Sequence, residues 1–335
     1  MMRNVFFAVI AIVGTVIGSG FISGKEIAVF FSRFGYFSYF CILLVFLLFF
    51  IFFRYILNRS EFALKRLSKS RISFYSNLIL CLIFSSAMFA GISNSLSGMN
   101  TFIKCIILIS VVILCFLVYK NGMGSLERLN VIFIPLMIFL FVFNLFSIFE
   151  FKNTNYESTI PKYLSFIYAI LYVFLNLSNG SILICRLGQK LTKKQRTRVA
   201  FYSALVLFLI LLLTNIVLLQ NQSSFIQDMP LLSLFNGFQK VLMSVVIFVG
   251  CITTLFSLVY TSSFSMRGLC KNEFLIFLVS VLFPLILSLL GFSFIVLYLY
   301  PLASVLGGEI LIDLFFISFF KRTDKKIHSS SENTK

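Results

Sequence analysis

Two polar interruptions and four charges lie inside stretches that are otherwise apolar, and these residues are the ones able to do chemistry. Gly14-Thr15-Val16-Ile17-Gly18-Ser19-Gly20 places three glycines within seven residues. Each glycine costs a helix interior roughly 1 kcal/mol relative to alanine, so the segment predicts a broken helix. Leu175-Asn176-Leu177-Ser178-Asn179-Gly180-Ser181 carries two Asn, two Ser and one Gly in a second apolar run. Asn and Ser compete for backbone hydrogen bonds and Gly tolerates non-helical dihedrals, so a second break is expected there. The charges are Lys25 and Glu26, just past the first interruption, and Glu309 and Asp313, one turn apart on a shared helical face. In a bilayer, a freed backbone group must be buried or line a cavity. An intramembrane charge marks a functional site by default. The chemistry on offer is the binding of ions or small polar solutes.

The elements that position these residues follow from composition. Of 335 residues, 60% are hydrophobic and 12% charged, and the mean hydropathy is +1.03. These values describe a polytopic membrane protein whose partner is the lipid bilayer. The formal charge of +17 is expected to act as a topology signal in short loops, not to bind nucleic acid. The aromatic belt must rest on 13 Tyr, since there is no Trp. The seven Cys lack CxxC spacing and read as small buried hydrophobes, while the single His328 lies in a polar tail without ligand partners. With no membrane His, no nucleotide motif and no carboxylate cluster for a metal, the chain is not expected to be an enzyme or to hold a resident cofactor. The N-terminal apolar run lacks a small-residue cleavage site and reads as a true first span.

Stretches long enough to cross the bilayer fall at about 4–31, 36–57, 73–97, 101–119, 129–149, 161–186, 197–220, 238–265, 273–292 and 294–320. With the N-terminus inside, 22 of the 28 Lys and Arg fall in inner segments and five in outer ones, alternating loop by loop. That is a strong positive-inside pattern, and it places both termini in the cytoplasm of a multi-pass cell-membrane protein.

Ten spans split into five and five. Residues 1–155 form the first repeat, 156–320 the second, and 321–335 a cytoplasmic polar tail. Because five is odd, the second half enters the membrane from the opposite side, which makes an inverted repeat. The two interruptions then occupy matching spans, 1 and 6, the best sequence pointer to a midplane solute site. Close helix packing is the competing reading, because Gly14-xxx-Gly18 and Gly20-xxx-Gly24 both fit the small-xxx-small pattern. In this scheme Gly18, Ser19, Gly20 and Phe21 offer half-helix amides to an anionic group, and Asn176, Ser178, Asn179 and Gly180 complete the polar contacts.

The segment Gly14–Gly35, GTVIGSGFISGKEIAVFFSRFG, resembles the start of the YkvI-type membrane transporter family. That family carries a similar Gly-rich break followed by Gly-x-Glu, here Gly24-Lys25-Glu26, and an FFxRFG stretch. It belongs to the amino acid–polyamine–organocation (APC) superfamily, whose members look like the leucine-transporter (LeuT-type) fold. The resemblance implies an all-α integral membrane protein of ten helices in a 5+5 inverted repeat, with helices 1 and 6 interrupted. It also implies a sodium ion between spans 1 and 8. Backbone carbonyls of Gly14, Ile17 and Gly250 and the hydroxyls of Thr253 and Thr254 would be its ligands. The alternative for the two threonines is back-bonding to their own helix. Span 5 contains no Lys, the residue that often replaces the cation in proton-coupled relatives, and this favours sodium. Span 3 lines the cavity in that fold, which makes Ser86 a candidate lining residue. Lys25, Glu26, Glu309 and Asp313 are candidates for gating or coupling between spans 1 and 10. The opposing reading is a Lys25–Glu26 pair at a wet helix end with Asp313 snorkelling inward.

The expectation is therefore a secondary active transporter of a small polar solute, such as an amino acid or a related amine or carboxylate, coupled to sodium. Two rivals remain. One is a nutrient-sensing permease-like receptor that binds solute without net transport; the other is a structural membrane protein that uses its glycine faces for packing alone.

Overall fold

The computed structural model describes residues 2–121, 124–149, 158, 160–267 and 270–312. Asp313, the tail 321–335 and the segment joining the two expected halves around 150–157 lie outside the described residues. Within them the chain is helical, with no strand.

The first span is built of three pieces: α1 (Met2–Val16), α2 (Ser19–Ile22) and α3 (Lys25–Phe30). There follow α4 (Phe37–Asn58), α5 (Ser60–Lys69), α6 (Arg71–Ser95), α7 (Thr101–Asn121), α8 (Gly124–Ile148), α9 (Lys162–Lys190), α10 (Lys193–Gln220), α11 (Gly237–Met266) and α12 (Glu273–Ser288). A final helix covers Phe292–Ile312 and contains a π-helical turn at Ile295–Leu299.

Among the described residues, six helices are long and apolar enough to cross a membrane: α4, α6, α9, α10, most of α11 and the final helix. Shorter apolar helices at Asn4–Val16, Thr101–Leu117, Phe133–Ile148 and Glu273–Ser288 fall on four further expected spans. The outward faces are apolar. On α7, Phe102, Ile106, Ile109 and Ile113 recur at helical spacing and are all exposed. On α8, Phe139, Phe143 and Phe146 do the same. Such continuous apolar stripes have no place in water, and lipid satisfies them. This is the build of an all-helical membrane protein.

Helix ends follow local sequence. Ser70 accepts from the Ser73 amide at the start of α6, Thr192 and Gln195 form a capping box at α10, and Asn272 accepts from the Phe274 and Leu275 amides at α12. One element was not foreseen. The loop expected after span 2 contains α5, whose polar surface hides the signal and whose buried Ser60 and Ala63 face α9. An ideal Cβ on Gly188 of α9 would meet Ser60 Cβ at 2.8 Å and the Leu57 carbonyl at 2.7 Å.

Packing places the broken span at the centre. α1 touches α8, α9 and α10; α2 touches α6 and α11; α3 touches α9, α10 and the final helix. Around it, α4 packs on α9 and α10, while α6 packs on α11 and α12. A buried polar chain pins the end of the first span to α10. Ser32 Oγ donates to Asn215 Oδ1 at 2.9 Å, and Asn215 Nδ2 donates to Ser38 Oγ at 2.8 Å.

The expected break in span 6 is absent, and this corrects the sequence reading. α9 runs unbroken from Lys162 to Lys190. The polar residues that predicted the break bond back to their own helix. Asn176 Nδ2 donates to the Tyr172 carbonyl at 2.9 Å, Ser178 Oγ to Leu175 at 2.8 Å and Ser181 Oγ to Ser178 at 2.9 Å. Such back-bonds satisfy the side chain without opening the backbone ladder.

The turn between α2 and α3 depends on Gly24. Its φ is +80°, and an ideal Cβ would lie 2.6 Å from the Leu231 side chain. Gly18, at φ −98°, has nothing within 4 Å of an added Cβ. Gly24→Ala is expected to cost about 1–2 kcal/mol from the left-handed backbone alone, with the clash adding to it. Gly18→Ala is expected to leave the thermal midpoint of the detergent-purified protein within a degree or two.

Candidate functional site

The break in the first span creates the site. The Gly18 amide bonds the Val16 carbonyl at 3.0 Å instead of the Gly14 carbonyl four residues back. α1 therefore ends with carbonyls turned to the gap, and the C-terminal end of a helix carries partial negative charge. α2 then restarts at Ser19, and its Ile22 amide takes the Gly18 carbonyl at 3.0 Å.

A small cavity lies at this gap. Thr15, Val16, Gly18 and Gly20 line it from the first span and Glu26 from α3. Phe84 and Met88 come from α6, Leu175, Asn176 and Asn179 from α9, Thr254 from α11 and Tyr300 from the final helix, directly after its π-turn. Its free volume is about 30 Å³. A water needs about 10–15 Å³, so the space holds a water or two, or one small head group.

Glu26 is the central charge. It is 5% exposed, its Oε1 has no hydrogen-bond partner, and Asn176 and Asn179 line the cavity beside it. Its Oε2 lies against Gly20, only 2.5 Å from where a Cβ would be. A side chain at Gly20 would displace it. Tyr300 lines the cavity with it, and the Tyr172 hydroxyl, four residues before Asn176 on α9, is buried without a partner. Among the described residues, no Lys, Arg or His lines the cavity.

The expected solute-binding residues separate into two groups. Gly18, Gly20, Asn176 and Asn179 line the cavity. The others pack around it. Ser19 Oγ bonds Met88 Sδ at 3.1 Å, Phe21 lies edge-to-face on Phe141 of α8, and Ser86 donates to the Ile83 carbonyl at 2.6 Å. Ser178 lies against Gly307, and Gly180 against Thr15. The half-helix amides expected to meet an anion belong to a four-residue helix, and the protein's own Glu26 carboxyl lies over its Gly20.

The expected sodium ligands stand in different surroundings. Gly14 and Ile17 stand at the carbonyl end of α1, and Gly14 packs against Ile134 of α8. Gly250 is covered by Met137 of α8 and Ile22 of α2. Thr253 Oγ1 donates to the Val249 and Gly250 carbonyls at 3.0 and 3.2 Å, which is the back-bonded alternative. Thr254 alone of the five lines the cavity.

Lys25 and Glu26 do not pair. Lys25, 6% exposed, turns away and donates through Nζ to the Phe225 and Gln227 carbonyls at 3.0 and 2.8 Å. Asp228 adds a favourable charge beside it and accepts from Asn94 of α6 at 3.1 Å. The Leu231 amide donates to the Ser23 carbonyl at 2.9 Å. The connection between α10 and α11 is thus clasped to the first span at its Ser23–Lys25 turn. Glu309 is exposed and accepts from Ser76 Oγ of α6 at 3.2 Å. It meets neither Lys25 nor Glu26.

Thr15, Phe84, Met88, Leu175, Tyr172 and Tyr300 were not singled out from the sequence. Apolar and aromatic residues on buried helices give no pattern that separates a cavity wall from ordinary core. Only the π-turn before Tyr300 marks it.

No protein-family model matches the chain, and no curated protein matches it. The fold and the site define the class: an all-helical membrane protein with a small, buried cavity at the break of its first span, lined by one carboxyl group.

Lys25→Met is expected to release the 222–236 connection, with a loss of about 1–3 kcal/mol. A lower thermal midpoint and faster proteolysis within that connection are the measurements; an unchanged pattern would remove the clasp as a structural tie.

Proposed function

We propose that the chain is a secondary active transporter of a small polar solute. In this reading it crosses the cell membrane ten times with both termini in the cytoplasm, as a LeuT-type 5+5 inverted repeat similar to the YkvI-type family of the APC superfamily. One observation carries it: the broken first span sits at the packing centre and opens onto a buried polar cavity. Irregular backbone at membrane depth is tolerated where it lines such a cavity.

Helix packing supports the repeat. With spans counted in chain order, α4 on α10 pairs spans 2 and 7, and α6 on α11 pairs spans 3 and 8. α4 on α9 pairs spans 2 and 6, and its counterpart under a five-span shift is α10 on α1. α6 on α12 likewise has α11 on α7 as its counterpart. The close approach of Gly14 to α8 has one in Gly307 and Gly308, whose added Cβ atoms would meet Phe174 of α9.

The cavity is too small for a whole amino acid, since ligand clefts run to roughly 300–1,000 Å³. Binding and release therefore require the walls to part, which is the motion alternating access needs. Sodium as co-substrate rests on the resemblance alone.

Uptake into proteoliposomes, with and without an inward sodium gradient, tests the reading. Filling the cavity with Asn179→Leu should abolish uptake of any solute that the wild type accumulates. Thr254→Val should lower sodium-dependent uptake several-fold and Thr253→Val should leave it unchanged. No uptake of any amino acid or amine by the wild type would sink the transporter reading.

A further inference from the structure

The geometry points to a protonated amine as the group this cavity holds, with Glu26 as its counter-ion. The inference rests on the transporter reading and narrows its solute to the cationic amines.

Three independent features converge. First, the carboxyl group is buried and directed at the cavity, and Oε1 lacks a partner. A buried acceptor left unpaired in a protein interior calls for a donor. Second, α1, a helix of 15 residues, ends at the same gap, with the Gly18 amide bonded elsewhere than to Gly14. Its carbonyl end adds partial negative charge to the carboxylate. Third, among the described residues no cationic side chain lines the cavity beside that carboxyl group. The adjacent Lys25 spends its ammonium group on the Phe225 and Gln227 carbonyls, and the lining holds no Lys, Arg or His.

The remaining lining suits an ammonium head. Asn176 and Asn179 offer amide oxygens and Thr254 a hydroxyl, while Phe84 and Tyr300 supply aromatic faces that attract cations. An ammonium group is about the size of a water and fits the 30 Å³ of free space. A carboxylate in the same place would face Glu26 at close range, a costly like-charge contact in a low-dielectric site. Carboxylate-only solutes are excluded on this ground.

The experiment compares probes of matched shape on the purified full-length protein. Ethylammonium should raise the unfolding midpoint in a saturable way. Ethanol, which keeps the ethyl group and the heavy-atom count and removes the charge, and acetate should not. Glu26→Gln should weaken the ethylammonium effect at least tenfold. If that variant fails to fold, the wild-type comparison of ethylammonium with ethanol still decides. Equal stabilisation by the charged and uncharged probes overturns the inference. So does stabilisation by sodium chloride alone that Glu26→Gln removes, because the cation is then inorganic. Uptake of a neutral or anionic solute that ethylammonium does not inhibit overturns the inference and keeps the transporter reading. Saturable, Glu26-dependent binding of ethylammonium without uptake of any amine supports the site and rejects the transporter.

Discussion

The structure turns on one constraint: a backbone that leaves the helix inside an apolar protein must find partners for the groups it frees. α1 stops at Val16 and α2 starts at Ser19, so the gap is only two residues wide. Its cost is contained because the Gly18 amide and carbonyl are both taken, by Val16 and Ile22. The surrounding helices then approach closely enough to exclude lipid and bulk water. Gly91 and Gly250 show how closely: an added Cβ would meet Cys251 Sγ at 2.8 Å in one case and Met137 Sδ at 2.9 Å in the other. The small residues are thus what allow the break, and the break is what leaves polar groups facing a cavity.

Electrostatics follow from the same turn. A buried carboxylate without a cation is expensive in a medium of low dielectric constant, so its position needs an explanation. Lys25 and Glu26 are neighbours in sequence, yet consecutive residues on a helix point about 100° apart. The left-handed Gly24 sets the phase of α3, and with it which of the two charges meets the gap. Glu26 goes inward to Gly20 and Lys25 outward to the connection between α10 and α11.

Much of the architecture was legible because it rests on long apolar runs and on glycine. Every described helix longer than ten residues lies on a span that hydropathy marks, and the first break was visible as three glycines. What was not legible depended on tertiary choice. Asn176, Ser178 and Ser181 predicted a break in span 6, and their own helix carbonyls absorbed them instead. Sequence contains both outcomes, since the same side chains serve a helix interior by back-bonding and a break by replacing the ladder. Thr253 and Thr254 were inseparable for a similar reason. One turned to its own helix and the other to the cavity, a difference of a single helical step. Glu26 stood out in the sequence by its charge, and its place at the cavity follows from the Ser23–Gly24 turn.

The clasp and the site are mechanically one unit. α3 is six residues long and carries Lys25 and Glu26 side by side, so it cannot tilt without moving both. Its outer attachment is two charge-assisted hydrogen bonds and one backbone bond, from Leu231 to Ser23. Its inner attachment is the close packing of Glu26 Oε2 on Gly20. Gly18 and Gly24 bound the α2 segment that joins α3 to α1, and both lie outside regular helix. A displacement that frees Lys25 from the Phe225 and Gln227 carbonyls therefore also lifts Glu26 from Gly20, which enlarges the 30 Å³ void. A solute group that pairs with Glu26 acts on the same lever from the inside, because satisfying the carboxylate changes the cost of holding α3 against α9 and the final helix. Differential contact of that kind is what a ligand needs in order to shift a conformational equilibrium.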